Sequence, residues 1–349
     1  MKTGLIFQNL MFLNKNKIYG TLYVEKYYLN NKIFSKELNE KPLFKLSKYI
    51  YLKEEFKKNN IELHTQDIIP PEKSDFTIYL DYNPNPKGKK NYLIVREPPT
   101  IIPDNHNLIK LNSFKKIFTW NDDLIDNKRI IKFYNQSYDF EKIKISQKVT
   151  KRKGYVMVCA KKIAFSNEEN YSTRKKIIEF FENKSSNFEF YGIGWDKMTF
   201  NYKFLEVLFN RLKIKRPKGK AYKNYKGTVS NKINKCSEFI FQFSIENTKS
   251  TKGYISEKIF DSFFSNTIPI YSGAPNISNY IPFDCFINLD NFSNIKKLID
   301  YTESLNINDH FKYLKARDRF LKSPEAKVFC SINNSKIITS HILNDFKNI

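Results

Sequence analysis

The sequence predicts an α/β protein of two Rossmann-like domains, each built on a mostly parallel sheet with helices on its faces. Three observations point there. The chain has 349 residues, more than one hydrophobic core usually organises. Its strand-like runs are short and apolar throughout, as expected of strands buried on both faces. Helix-length connections separate them, which gives βαβ units whose ligands collect beyond the carboxyl ends of the strands.

In chain order, Leu43–Lys58 is helix-like, with Phe44, Ile50, Leu52 and Phe56 punctuating a Lys/Glu background. Residues 59–70 read as a connection and a strand. Phe76–Leu80, Tyr92–Val95 and Ile117–Trp120 are short apolar strands. They end at Asp81, at Arg96-Glu97-Pro98-Pro99 and at Asn121-Asp122-Asp123. The Lys-rich stretch Lys142–Lys153 reads as a linker between domains. A second series then begins: strand Tyr155–Cys159, helix Arg174–Asn183, and strand Phe188–Tyr191 running into Gly192-Ile193-Gly194-Trp195. A basic loop over 211–227, strand Phe239–Ile245 and a helix from about Ile255 follow. Strands Ile268–Tyr271 and Cys285–Leu289 and a helix from about Ser293 complete the series. Ile337, Ile338, Ile342, Leu343 and Phe346 fall at near-helical spacing and predict a C-terminal helix. The expected division is 1–145, 150–325 and a helical tail over 326–349.

The formal net charge is +24, which invites a nucleic-acid reading. The lysines are scattered, however, and there is no zinc-finger spacing, basic zipper or RNA-binding aromatic signature. The charge favours an anionic partner, either a phosphorylated substrate or an acidic membrane face; a basic nucleic-acid-binding protein stays as the alternative of another class. The four cysteines, Cys159, Cys236, Cys285 and Cys330, are far apart and read as small buried hydrophobes in a reduced compartment. The four histidines form no ligand spacing. The N-terminal run is interrupted by Gln8 and Asn9 and lacks a cleavage site, and no stretch reaches the roughly 20 apolar residues of a membrane span. A cytoplasmic protein is expected, peripheral at the inner membrane face.

The segment Tyr254-Ile255-Ser256-Glu257-Lys258 opens a helix whose apolar face is Ile255, Ile259, Phe260, Phe263 and Phe264. A helix start offers free N–H groups and partial positive charge to phosphate. Lys258 adds a cation. Glu257 would accept hydrogen bonds from sugar hydroxyls or stabilise an oxocarbenium charge, which together suggests a nucleotide sugar. The plainer alternative is that Glu257 favours the helix dipole and Lys258 is solvated.

Phe243-Ser244-Ile245-Glu246-Asn247, Gly253-Tyr254-Ile255-Ser256-Glu257-Lys258-Ile259 and Asn266-Thr267-Ile268-Pro269-Ile270-Tyr271-Ser272-Gly273 together resemble the donor motif of the α-1,3/4-fucosyltransferases, glycosyltransferase family 10. About 45 residues match closely. The resemblance implies a GT-B fold, two Rossmann-like domains with parallel sheets facing a cleft, and GDP-fucose held by the C-terminal domain. It assigns Glu257 to catalysis and Lys258, Tyr254, Asn247 and Arg174 to donor binding; Arg174 has the alternative of a solvated helix residue. Glu97, at a strand end of the N-terminal domain, resembles the family's catalytic base, with a structural partner of Arg96 or a turn cap as the alternative; Asp81, at the end of strand Phe76–Leu80, is the next candidate for the base. The loop between Asn247 and Tyr254 is one residue longer than the bacterial pattern, with Thr248 for Ser and Ser256 for Thr. No metal site is expected, since Asp122-Asp123 and Asp81–Asn83 follow no donor-domain strand; divalent ions would at most stimulate. Gly192–Gly194 reads as a turn, and Tyr222, Lys223, Tyr225 and Lys226 as a solvated loop.

The implied reaction is inverting transfer of L-fucose from GDP-β-L-fucose to a Gal- or GlcNAc-type hydroxyl. The expected acceptor is an oligosaccharide or lipid-linked glycan, such as lipopolysaccharide, fucosylated in α-1,3 linkage. The alternative within enzymes is the same fold with another GDP-deoxysugar.

Overall fold

Alternating apolar strands and amphipathic helices build two all-parallel sheets. The computed structural model describes residues 17–40, 46–134, 153–184, 187–200, 203–212 and 214–347. The first sheet contains β1 (Ile18–Tyr23), β2 (Ile61–Thr65), β3 (Phe76–Leu80), β4 (Asn91–Ile94), β5 (Lys116–Thr119) and β6 (Ile130–Lys132), in the order β2-β1-β3-β4-β5-β6. α1 (Lys36–Glu40) and α2 (Ser47–Lys58) connect β1 to β2. The second sheet contains β7 (Lys153–Val158), β8 (Phe188–Tyr191), β9 (Phe239–Ile245), β10 (Ile268–Ser272) and β11 (Ile287–Asn288), ordered β11-β10-β9-β7-β8. Every strand pairing is parallel. The helices of this half are α3 (Tyr171–Glu182), α4 (Lys203–Arg211), α5 (Lys232–Cys236) and α6 (Glu257–Phe264). After the sheet come α7 (Ile295–Ser304), α8 (Ile307–Lys322), α9 (Pro324–Lys327) and α10 (Ser331–Lys347).

The expected α/β class with two parallel sheets is what the chain forms. The strands expected at 76–80, 188–191 and 239–245 match residue for residue, and β4, β5 and β7 begin one or two residues early. β1 was not anticipated, although it lies inside its sheet between β2 and β3. Gly20 breaks its apolar run, and that glycine is where the Phe76 ring lies: an added Cβ would be 2.3 Å from Phe76 Cζ. β6, α4 and α8 were also not read from the sequence. α8 starts at a reciprocal cap, Asn306 accepting from Asp309 N while Asp309 accepts from Asn306 N. The strand expected over Cys285–Leu289 shortens to Ile287–Asn288, because tight turns at Phe283–Cys285 and Leu289–Asn291 bracket it. The linker expected at 142–153 lies outside the described residues except for Lys153, which starts β7.

α10 packs on the first sheet. Ile338 and Ile342 join Leu22, Phe56, Phe76 and Tyr92 in one apolar cluster. Asp345 accepts from Tyr92 Oη at 2.8 Å and Lys116 Nζ at 2.9 Å. The two sheets meet at their strand ends. The Tyr254 ring, from the loop after β9, joins a cluster with Tyr79, Leu93, Val95 and Trp120 of the first domain and lies 4.6 Å from the Trp120 ring. Asp122 Oδ2 accepts from Asn276 Nδ2 at 2.8 Å, and its carboxylate accepts from Tyr280 Oη at 2.6 Å and Lys132 Nζ at 2.5 Å. Gly253 permits this approach. Its φ is +77°, and a Cβ there would lie 2.3 Å from the Trp120 carbonyl.

Candidate active site

β9 is buried nearly throughout and is followed at once by Glu246, which puts a carboxylate under the loop that follows. Glu246 is fully buried. It accepts from Ser256 N at 2.7 Å, Ser256 Oγ at 2.5 Å and Lys258 Nζ at 2.9 Å. Ser256 Oγ in turn accepts from Lys258 N at 3.4 Å, so the cap residue of α6 and one N–H of its first turn are held internally. Lys258 gives a second N–H to Ser256 Oγ at 2.9 Å, which leaves one of its three donors for a ligand.

Arg174 projects from the first turn of α3 and is buried. Its Nη2 donates to Ile245 O at 2.7 Å and to Asn247 Oδ1 at 2.9 Å, so the reading of a solvated helix residue does not apply. Asn247 Nδ2 donates to Tyr254 Oη at 3.3 Å. Arg174, Asn247 and Tyr254 thus form one chain of contacts from α3 to the domain interface. Burial, reinforced by the carboxylates of Glu246, Glu97 and Glu257, holds the Tyr254 hydroxyl well above its ordinary range. The start of α3 is also capped internally, with Glu169 accepting from Tyr171 N at 2.5 Å and Ser172 N at 2.9 Å. Beside it the Tyr171 hydroxyl, Arg174 Nε and Asn170 Oδ1 are buried without a hydrogen-bond partner among the described residues. A cavity of about 440 Å³ opens here, lined in part by Lys161, Lys162, Tyr171, Lys175, Trp195 and Lys220. Among the described residues no cluster of three or more metal-binding side chains occurs.

Glu97 follows β4 in the facing domain. It does not pair with Arg96, the alternative left open by the sequence. The Arg96 guanidinium bonds Asp81 Oδ2 at 2.9 Å and Glu25 Oε1 at 2.6 Å. Asp81 holds this turn in place. It is buried, sits at a φ of +66°, and accepts from Arg96 N, Glu97 N and Asn105 Nδ2 at 2.7, 3.1 and 2.8 Å. The Glu97 carboxylate accepts no hydrogen bond among the described residues, while its carbonyl is held by Asn105 Nδ2 at 3.2 Å. Burial, then the Asp81 carboxylate, raises its carboxyl above the ordinary value; Lys162, Arg96 and Lys258 pull the other way. Lys162 and Lys258 belong to the opposite domain, so Glu97 lies within electrostatic reach of both domains. Lys48, in the first turn of α2, is pushed down to about 7 by burial and by Arg96, against the carboxylates of Asp81, Glu257 and Glu97. Glu257 opens α6 beside Lys258.

The structure therefore joins Arg174, Asn247 and Tyr254 in one chain of contacts and ties Lys258 to Glu246 and Ser256 in a second. Sequence reasoning assigned no role to Glu246, Tyr171, Lys162 or Lys48. Glu246 carried a signal, a carboxylate directly after a strand; the others carried none.

Residues 163–335 match the sequence family described as glycosyltransferase family 10 (fucosyltransferase) C-term. Over 78 residues the chain is 40% identical to alpha-(1,3)-fucosyltransferase FucT of Helicobacter pylori, covering 22% of this chain and 16% of that one. Over 131 residues it is 28% identical to the 4-galactosyl-N-acetylglucosaminide 3-alpha-L-fucosyltransferase 9 of Bos taurus, covering 36% of each. The chain thus spans well under two thirds of the length of these curated relatives. Its fold is similar to the crystal structure of an alpha1,3-fucosyltransferase with GDP-fucose, at a TM-score of 0.51 and 18% identity over 88% of this chain and 91% of that one. The two parallel sheets are those of a GT-B protein, and residues 163–335 form the C-terminal domain described for glycosyltransferase family 10, the fucosyltransferases.

Proposed function

We propose that the protein transfers L-fucose from GDP-β-L-fucose to a Gal- or GlcNAc-type hydroxyl of a glycan, with inversion at the sugar carbon. The observation that carries this reading is the placement of Glu97. It is a carboxylate without a hydrogen bond among the described residues, just after β4, its pKa raised by burial and within electrostatic reach of Lys162 and Lys258 of the other domain. The acceptor oxygen attacks the sugar carbon, the bond to the β-phosphate breaks, and the acceptor proton passes to Glu97. Glu257 stabilises positive charge on the sugar. Arg174 Nε, the Tyr171 hydroxyl and Asn170 Oδ1 suit a ligand with both anionic oxygens and hydroxyls, since a phosphate satisfies the first and a hydroxyl the last. Lys162 and the remaining donor of Lys258 neutralise the departing diphosphate, so a divalent ion is stimulatory at most. The acceptor is a lipopolysaccharide or another surface glycan assembled on the cytoplasmic side, reached by peripheral membrane contact.

A screen of GDP- and UDP-sugars with glycan acceptors, read by mass spectrometry, tests this. Fucosylated product from GDP-fucose is expected. Turnover only with another GDP-deoxysugar would move the reading within the fold. No turnover, with tight and steeply salt-dependent RNA or DNA binding, would replace it.

A further inference from the structure

Between β8 and β9 the chain makes an excursion that the donor reading does not use. Its two arms run as a pair, with Met198 N donating to Pro217 O at 2.9 Å and Gly219 N to Asp196 O at 2.8 Å. α4 lies at its tip. One side of α4 is half-buried, with the Phe209 ring 4.6 Å from Phe200. The other side is apolar and exposed: Phe204 at 66%, Val207 at 53%, Leu208 at 43% and Leu212 at 57%. These fall at i, i+3, i+4 and i+8, one face of a helix. Ile214, 46% exposed, continues the surface. Residues 211–220, RLKIKRPKGK, hold six basic residues and no acidic one. Of these, Arg211, Lys215, Lys218 and Lys220 are exposed.

We propose that α4 and the basic segment after it dock the protein on an anionic phospholipid bilayer. Helical geometry makes α4 about 14 Å long, too short to cross a membrane. Among the described residues no helix is long and apolar enough to do so. A short apolar helix face bordered by lysine and arginine fits the plane of the headgroups, with its side chains in the acyl boundary and its cations against lipid phosphates. Nucleic acid would use the cations and leave the exposed Phe, Val and Leu surface wet. A second copy meeting this face across a two-fold axis would set like charges together. Met198, Gly219 and Lys220 border the cavity beside α3, so docking brings the proposed donor site to the bilayer. The inference rests on the proposed function for its purpose only, because binding is measured without donor or acceptor.

The test is flotation of the full chain with vesicles of phosphatidylcholine alone and with phosphatidylglycerol added. Binding to the anionic vesicles is expected, weakening with salt. It should fall at least tenfold in Phe204→Ser/Leu208→Ser/Leu212→Ser and in Lys215→Glu/Lys218→Glu, with parent-like circular dichroism and unchanged transfer to a soluble acceptor. If the triple variant does not fold, Leu212→Trp serves, and its emission should shift to the blue on anionic vesicles. Equal binding to both vesicle types, full binding by the charge-reversed variant, or no shift would overturn the proposal. So would a dimer that the triple variant dissolves in the absence of vesicle binding. Loss of transfer in the parent with vesicle binding intact would refute the enzyme reading and leave this one standing.

Discussion

Replacing Glu246 with glutamine tests whether a buried ion pair fixes the donor-facing loop. Glu246 has no exposed surface, and the Lys258 side chain is 15% exposed. Three donors converge on the carboxylate at 2.5–2.9 Å. In Glu246→Gln the amide oxygen keeps one of these bonds, but the new NH2 group and the Lys258 ammonium are both donors. Removing one partner of a buried pair costs about 3–5 kcal/mol. Lys258 retains the Ser256 hydroxyl and some water, which brings the expected loss to about 2–4 kcal/mol. For a domain of this size that lowers the melting temperature by roughly 4–16 °C. Thermal melts by far-UV circular dichroism give the measurement, with Lys258→Met and the double variant completing a cycle. Because the double variant has no unpaired charge, it should melt above the sum of the two single losses. A Glu246→Gln protein that melts with the parent, or strictly additive losses, would refute the pair as the element that holds the loop.

Other outcomes follow from the same geometry. Arg174→Lys cannot reach both Ile245 O and Asn247 Oδ1, so GDP affinity by calorimetry should drop ~10-fold or more, the lower range for a lost charge-assisted bond; equal affinity would dismiss Arg174 from donor binding. Gly253→Ala forces a Cβ against the Trp120 carbonyl at a positive φ and should cost on the order of 1–3 kcal/mol, read as a lower melting temperature. Glu97 is raised in the folded state, so its contribution to stability is complete below the unfolded pKa and is lost as pH rises through the folded one. Glu97→Gln should therefore melt above the parent at neutral pH, with the gain fading towards about pH 4; a gain independent of pH would contradict this. Transfer should persist in excess EDTA, and loss restored by manganese would reveal a metal site.

The parallel sheets were legible because strands such as Phe76–Leu80 and Ile268–Ser272 are short, mostly apolar and separated by helix-length connections, as double burial requires. β1 escaped because Gly20 interrupts it, and the reason for the glycine, a Phe76 ring arriving from β3, is a tertiary contact. α4 escaped because an exposed apolar helix beside a basic run contradicts the pattern of a water-facing element. The donor motif located Lys258, Asn247 and Tyr254, yet the carboxylate that holds Lys258 and Ser256 stood unread within it. Glu246 looked like one acidic residue among many until the fold buried it. Asp81 had been the second choice for a base. Its burial and its hydrogen bonds to Arg96, Glu97 and Asn105 instead make it the brace of the turn that presents Glu97. Periodicity cannot report which of two nearby carboxylates will be saturated.

The central claim is that Glu97 takes the acceptor proton while the opposite domain holds the donor. The most direct measurement sets GDP-fucose binding, by calorimetry, beside the rate of fucose transfer in Glu97→Gln and the parent. A base that acts only in the chemical step predicts near-equal donor affinity and transfer slower by ~100-fold or more. Transfer at the parental rate, or a loss of donor affinity as large as the loss of rate, would contradict it.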